Sequence, residues 1–170
     1  YVERMRGRGT FVSHPDTRGR FIDTQLSFAK EMSILGKRHH TEMIHKEWIS
    51  GDFMLTGLLN LGMSERCYHI KRMRYVNGKP FVLAENYIPE SIFPGIEQYD
   101  LAKESLYGVF ERVYHVKVMR AKRVIRAQTA DQELAGFFGV HPGSPVLYIT
   151  NVAVDQNDRP VDFSKEYLDG

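Results

Sequence analysis

The sequence predicts an α+β fold, a mainly antiparallel β-sheet with flanking helices. Asn77-Gly78 lies between two β-rich runs, which is the strongest short-range hairpin signal because a type I′ turn needs positive φ at both central positions. A second pair of strand-like runs covers residues 146–154 and 161–168. Neighbouring strands without strict β–α alternation favour an antiparallel sheet.

The first hairpin is predicted to place three ionisable residues on one face of the sheet. Counting back from the turn gives these pairs: Val76 with Lys79, Arg74 with Phe81, Arg72 with Leu83 and Ile70 with Glu85. Since side chains alternate with period two, Arg72, Arg74 and Glu85 would converge. Burying them beside apolar residues is costly unless a partner or an anionic ligand compensates their charge. An ion pair on a solvated face and a binding site both remain open.

Helical spacing of apolar residues marks the flanking helices. A first helix is predicted over 24–35, with Ser27 as its N-cap and Gly36 directly after its end, and a short helical turn over 55–61. A second helix is predicted over 104–114, starting at Ser105. A third begins with a capping box at 129–132 and ends at Gly139. Alternation predicts further strands at 41–49 and 116–128, the latter with Lys122, Arg123 and Arg126 on a wet face.

Composition excludes several classes of protein. With 170 residues and 42% hydrophobic content, the chain can form the core of one ordinary domain. A net charge of +2 indicates neither a nucleic-acid surface nor a membrane surface. The single cysteine, Cys67, excludes an internal disulfide framework. Without an apolar run of about 18 residues, a membrane span is not expected, and we expect a cytoplasmic protein.

Motifs for catalysis, metals and nucleotides are missing from the sequence. The seven histidines match no HExxH or paired-ligand spacing, so a metal is not expected. Neither GxSxG nor a phosphate loop occurs, and we expect no cofactor. An anion would therefore meet side chains and helix starts, where Ser27 and Ser105 are candidates. For either serine alone a simple cap is the better explanation, and only their convergence would make a site.

Residues 1–13 are predicted to belong to a separate domain. Residues 1–13 contain two short strands around Arg6-Gly7-Arg8-Gly9, and residues 14–22 form a polar linker. Two short strands are marginal alone, so we expect their partners upstream of residue 1. Arginines at this tip suit a nucleic-acid backbone or minor groove, and a solvated loop is the alternative.

Several motifs resemble one family of bacterial regulators. The segment Gly7-Arg-Gly9-Thr10-Phe11-Val12 resembles the wing that closes the winged helix-turn-helix domain of GntR-family repressors. The remainder resembles the UTRA effector domain of the HutC subfamily in these segments: Ser27-Phe28, Arg72-Met-Arg74, Glu85-Asn-Tyr-Ile-Pro89, Ser105-Leu-Tyr107, Gln128 with Ala130 and Glu133, Gly143-Ser-Pro145, and Arg159-Pro followed by Phe163-Ser164.

The resemblance implies a domain organisation. Residues 1–13 would be a remnant of the DNA-binding domain, 14–22 a linker, and 23–170 a UTRA domain with a chorismate lyase-like fold. The wing remnant, Arg6, Gly7, Arg8 and Gly9, would contact DNA together with helices that are absent here. The intact protein would be a homodimer that binds operator DNA and, as a repressor, responds to a small metabolite, commonly a sugar or amino-sugar phosphate.

The resemblance also implies an effector site. Arg72, Arg74, Ser105 and the backbone of Ser27-Phe28 would lie near the phosphate, and Glu85 would meet hydroxyl or amino groups. Tyr107 and Glu166 are further candidates.

Two other functions remain open from the sequence. One is a lyase-type enzyme on the same scaffold, in which arginines hold a carboxylate and Glu85 is a general acid. The other is a dimerisation module whose pocket is filled by its own side chains. The wing-like segment favours a regulator, because an enzyme would have no use for it.

Overall fold

A computed structural model describes residues 2–5, 9–12, 28–62 and 64–169 of the chain, and it confirms the predicted fold class. Four residues predicted to bind DNA or effector, Arg6, Gly7, Arg8 and Ser27, lie outside these described ranges. Strands β1 (Val2–Met5) and β2 (Gly9–Val12) pair as an antiparallel hairpin. Gly9, the remaining residue of the predicted wing, begins β2 and pairs with Met5.

Six further strands form one antiparallel sheet in the order β3-β4-β5-β8-β7-β6. Their bounds are β3 His39–Ser50, β4 Arg66–Val76, β5 Lys79–Pro89, β6 Arg120–Thr129, β7 Pro145–Val154 and β8 Pro160–Asp169. The last strand, β8, inserts between β5 and β7, so the two predicted hairpins become neighbours in one sheet. Strands β3 and β6 form the edges.

Within the described residues, four short helices and a 3-10 turn accompany the sheet. Their bounds are α1 Phe28–Ile34, α2 Phe53–Leu59, α3 Leu106–Tyr114, α4 Gln132–Phe138 and the 3-10 turn Ile96–Gln98. Ser105 is the N-cap of α3, as predicted, and its hydroxyl accepts from the amide of Gly108. The capping box at Thr129 is wrong, because Asp131 caps α4 by accepting from the amide of Leu134 at 2.8 Å.

The Asn77-Gly78 turn is confirmed, but the predicted register beyond it is wrong. Both turn residues have positive φ, +51° and +79°. A bulge next to Pro80 leaves Phe81 as an extra residue in β5, so Arg74 pairs with Val82. Proline has no N–H to donate to the ladder and is tolerated at such bulges. The slip of one residue carries Glu85 to the other face of the sheet.

The two faces of the sheet are therefore chemically distinct. The α3 face carries Arg72 and Arg74, and here Phe93 and Phe110 stack within the main apolar core at 3.7 Å between ring centroids. The α4 face carries Glu85, and it is covered by α4 and α2 in two smaller apolar clusters. None of the described helices is long and apolar enough to cross a membrane.

Candidate anion-binding site

A cavity of about 390 Å³ opens on the α3 face of the sheet. Phe28 of α1 and the 101–107 segment leading into α3 form its walls, and strands β4 to β8 supply its floor. Helix α3 faces the sheet because Leu106, Val109 and Phe110 follow helical spacing and are all buried. This packing brings the first turn of α3 to the mouth of the cavity.

The lining of the cavity is rich in positive charge. Five cationic side chains contribute to it: Arg72, Arg74, Lys103, Arg120 and Arg123. Two carboxylates are present, Glu104 and Glu166. Cations in a partly enclosed cleft focus the electrostatic potential, so this arrangement attracts an anionic ligand.

Arg72 lies at the floor and is almost completely buried, with 3% of its surface exposed. Its guanidinium donates to the carbonyl oxygen of Leu101 at 3.0 Å and to Oδ1 of Asn86 at 2.8 Å. Burial lowers the pKa of Arg72 to about 9, and neighbouring Arg74 adds to the effect. Arg72 therefore remains a cation at neutral pH, and its Nε has no hydrogen-bond partner within the described part of the chain.

A buried carboxylate lies next to this arginine through a bridging amide. Asn86 donates its Nδ2 to both oxygens of Asp162 at 2.9 and 3.1 Å, and the hydroxyl of Tyr107 donates to Oδ2 at 2.9 Å. Burial raises the pKa of Asp162 to about 7. Asp162 therefore gains or loses its proton close to neutral pH.

The polar floor continues across the remaining strands. Asn151 donates to the hydroxyl of Ser164 at 3.1 Å and accepts from Nε of Arg123 at 2.7 Å. Asn86, Ser164 and Asn151 lie side by side on β5, β8 and β7 because they are direct cross-strand partners. A row of hydrogen-bonded amide and hydroxyl groups thus runs from Arg72 to Arg123. Such groups can recognise the hydroxyl groups of a ligand.

Arg74 lines the cavity, and its guanidinium N–H groups are available to bind a ligand. Its guanidinium lies 5.2 Å from the ring centroid of Phe28, a cation–π distance. Its Nη1 is 3.9 Å from Oε1 of Glu166, which is too far for a hydrogen bond. An anion could therefore bind Arg74 without displacing a direct hydrogen bond to Glu166.

The first turn of α3 adds a second feature that favours anions. Ser105, Leu106 and Tyr107 line the cavity, and the first amides of any helix lack intrahelical acceptors. The positive end of the helix dipole lies at the same place. Arginine side chains and a helix start therefore meet at one cavity.

The structure brings six of the eight predicted effector residues to the cavity. They are Phe28, Arg72, Arg74, Ser105, Tyr107 and Glu166. Ser27 lies outside the described residues. The prediction for Glu85 is wrong, because the bulge places this residue on the α4 face. There Glu85 is the cross-strand partner of Lys71, and its Oε2 lies 3.6 Å from Nε2 of His69. Glu85 cannot converge with Arg72 and Arg74.

Sequence reasoning missed the polar floor. The residues concerned are Asn86, Asn151, Asp162 and Ser164, all nearly or fully buried, together with Arg120 and Arg123. A signal was available in β8, where Asp162, Ser164 and Glu166 recur with period two among apolar residues. Buried polar residues repeated on one face of a strand indicate a lined cavity rather than a closed apolar core.

Comparisons with known proteins show which family this chain resembles. Residues 35–170 match the family model described as the UTRA domain. HTH-type transcriptional repressor NagR of Bacillus subtilis is 27% identical over 167 residues, which cover 98% of this chain and 68% of NagR. Mannosyl-D-glycerate transport/metabolism system repressor MngR of Escherichia coli is 27% identical over 147 residues, 86% of this chain and 60% of MngR. The chain thus spans about two thirds of the length of these relatives.

A solved structure shares the fold over almost the whole chain. The crystal structure of PhnF from Mycobacterium smegmatis superimposes with a TM-score of 0.83 at 21% identity, covering 99% of this chain and 73% of PhnF. At this level of identity the likeness concerns the fold alone.

Proposed function

Because the chain belongs to the UTRA domain family of GntR-type transcriptional regulators, we propose that it senses a small phosphorylated metabolite, a sugar or amino-sugar phosphate. The phosphate would bind between Arg74 and the first turn of α3, above the buried Arg72. The sugar hydroxyls would meet the polar floor of Asn86, Asn151 and Ser164.

The observation that carries this proposal is the composition of the cavity. Five cations surround it, whereas its floor is built from hydrogen-bonded amides and hydroxyls. A phosphate needs cationic and amide donors, and a sugar needs paired donors and acceptors. An apolar ligand would offer no acceptor to the buried Nε of Arg72, which has no hydrogen-bond partner among the described residues, and leaving such a donor unpaired is costly.

The proposed biological role is control of operator binding. The relatives NagR and MngR are named as repressors, and the β1-β2 hairpin fits the wing of a DNA-binding domain. Binding at the cavity would favour one arrangement of the intact protein over another, since a ligand shifts an equilibrium only by its differential affinity. Such a repressor would work in the cytoplasm, where operator DNA lies.

Dimerisation is proposed through the edge strand β6. Nearly all its residues are exposed on both faces, and Val124 and Ile125 are 41% and 45% exposed. An exposed, partly apolar edge offers unpaired backbone groups to another strand. A second copy of the chain could cover it and complete a site that includes Arg120 and Arg123.

A screen of ligands by thermal shift tests the proposal. Sugar phosphates and amino-sugar phosphates are compared with the same sugars lacking phosphate, and inorganic phosphate alone is a control. At least one phosphorylated sugar is expected to raise the melting temperature in proportion to the logarithm of its concentration. If the unphosphorylated sugar stabilises the chain equally, or if every compound leaves the melting temperature unchanged, the proposal fails.

The enzyme alternative is tested on the same purified chain. The family's relatives are named as regulators, and Glu85, the residue predicted as the general acid of a lyase, lies on the α4 face and away from this cavity. We expect no conversion of chorismate in a spectrophotometric assay. Measurable turnover that depends on Arg74 would instead establish an enzyme.

A further inference from the structure

The α4 face carries a cluster that the proposed effector site does not use. His45 and Glu47 alternate on β3, so both point to this face, and Glu47 is the direct cross-strand partner of His69 on β4. Nε2 of His45 lies 3.1 Å from Oε1 of Glu47, and Nδ1 of His69 lies 3.7 Å from the same oxygen. Two imidazoles and a carboxylate thus converge near a sheet edge.

These distances suit a shared metal ion. Ligand atoms at about 2.1 Å from a tetrahedral zinc ion lie about 3.4 Å apart, and the two observed separations lie on either side of that value. The three ligand atoms all lie within 4.8 Å of one another. Zinc sites with an open position commonly use three protein ligands, including two histidines and a glutamate.

The second nitrogen of His69 is already oriented as in known metal sites. Its Nε2 points toward Oε2 of Glu85 at 3.6 Å, and it has no hydrogen-bond partner at shorter range among the described residues. A metal-bound histidine usually directs its other N–H at a carboxylate, which fixes the ring and strengthens the ligand. The hydroxyl of Tyr87 donates to the same oxygen of Glu85 at 3.1 Å.

The ring of His69 is also held in place by packing. It stacks on Tyr87 with 4.6 Å between centroids and 8° between planes. The nearby cation Lys71 pairs with two carboxylates, since its Nζ lies 2.5 Å from Oε1 of Glu133 and 3.7 Å from Oε1 of Glu85. The arrangement is therefore preorganised on the β4 side, and His45 and Glu47 complete it from the exposed edge strand.

We propose that His45, Glu47 and His69 bind a divalent transition-metal ion, with Glu85 as the carboxylate that orients His69. Imidazole and carboxylate ligands fit zinc, which is the probe for the test. Because these residues lie on the opposite face of the sheet from the cavity, the metal site is independent of the effector site. Glu85 then has a structural reason for its place on the α4 face.

The proposal is tested by competition titration of the purified chain with Zn²⁺ and a chromophoric chelator at neutral pH. One Zn²⁺ ion per chain is expected. His45→Asn and Glu47→Gln change exposed residues on an edge strand, so they should fold normally, which circular dichroism checks. Each should weaken binding by more than the roughly 10–100-fold that loss of an outer-shell partner costs. Glu85→Gln is expected to fall within that roughly 10–100-fold range.

A matched control comes from the same strand. His40 and Glu42 form a similar pair, with Nε2 of His40 at 3.6 Å from Oε1 of Glu42, but they do not belong to a three-ligand cluster in the described chain. His40→Asn should leave zinc affinity unchanged, and so should Arg74→Met, which tests the cavity instead. Absence of stoichiometric zinc binding, or Glu47→Gln binding as tightly as the unaltered chain, would overturn the proposal.

Discussion

Replacing Arg74 by methionine should abolish most of the affinity for a phosphorylated ligand without unfolding the chain. Its side chain is only 14% exposed, so a phosphate bound there would be largely desolvated, and losing one partner of such a charge pair costs about 2–5 kcal/mol. This corresponds to a loss of about 30-fold to about 5000-fold in affinity. The substitution also leaves Glu166 to repel the phosphate, which favours the upper part of that range.

Isothermal titration calorimetry measures this effect with the sugar phosphate that gives the largest thermal shift. Arg126→Met is the matched control, because Arg126 is exposed on β6 and pairs with Tyr148 on the α4 face. That control should bind as the unaltered chain does. The melting temperature of ligand-free Arg74→Met should change little, since Arg74 makes a long contact to Glu166 and a cation–π contact with Phe28, against which methionine can still pack. Equal affinity of Arg74→Met and the unaltered chain would refute the reasoning.

Three further predictions concern pH, assembly and local stability. Burial raises the pKa of Asp162 to about 7, so the folded chain holds this proton more tightly than the unfolded chain, and stability falls as pH rises from about 4 to about 7. Asp162→Asn should remove this pH-dependent part of the free energy of unfolding, at most about 4 kcal/mol, as measured by urea unfolding at several pH values. If the pH dependence of stability is the same in the variant and the unaltered chain, the raised pKa of Asp162 is contradicted. Ile125→Lys should convert dimers to monomers in analytical ultracentrifugation, and an unaltered sedimentation profile would argue against β6 as the interface. Asp131→Ala should cost about 1 kcal/mol by removing the cap of α4; a stability equal to that of the unaltered chain would show that the bond to Leu134 contributes little.

Local signals in the sequence predicted the local structure well. Asn77-Gly78, Ser105 and Gly139 each act through bonds or dihedral angles within a few residues, and each does so in the structure. The bulge beside Pro80 was missed because the count from the turn assumed one partner for every residue. Regular pairing is interrupted at Pro80, because proline has no N–H to donate to the neighbouring strand.

The floor of the cavity was harder to predict, because it depends on contacts distant in sequence. Asn86 and Asp162 are 76 residues apart, and they meet only because β8 inserts beside β5. The proximity of His45, Glu47 and His69 could not be predicted for the same reason: His45 and Glu47 are neighbours on one strand, but His69 joins them through strand pairing. Spacing rules for metal ligands along one helix or loop do not cover ligands brought together by a sheet.

A crystal structure of the chain with its sugar phosphate would show directly whether the cavity binds the ligand. We expect phosphate oxygens within hydrogen-bond distance, about 3 Å, of the Arg74 guanidinium and the first amides of α3. The sugar hydroxyls would then contact Asn86, Asn151 or Ser164. A ligand bound outside the cavity, or one whose phosphate lies away from both Arg74 and α3, would contradict the account.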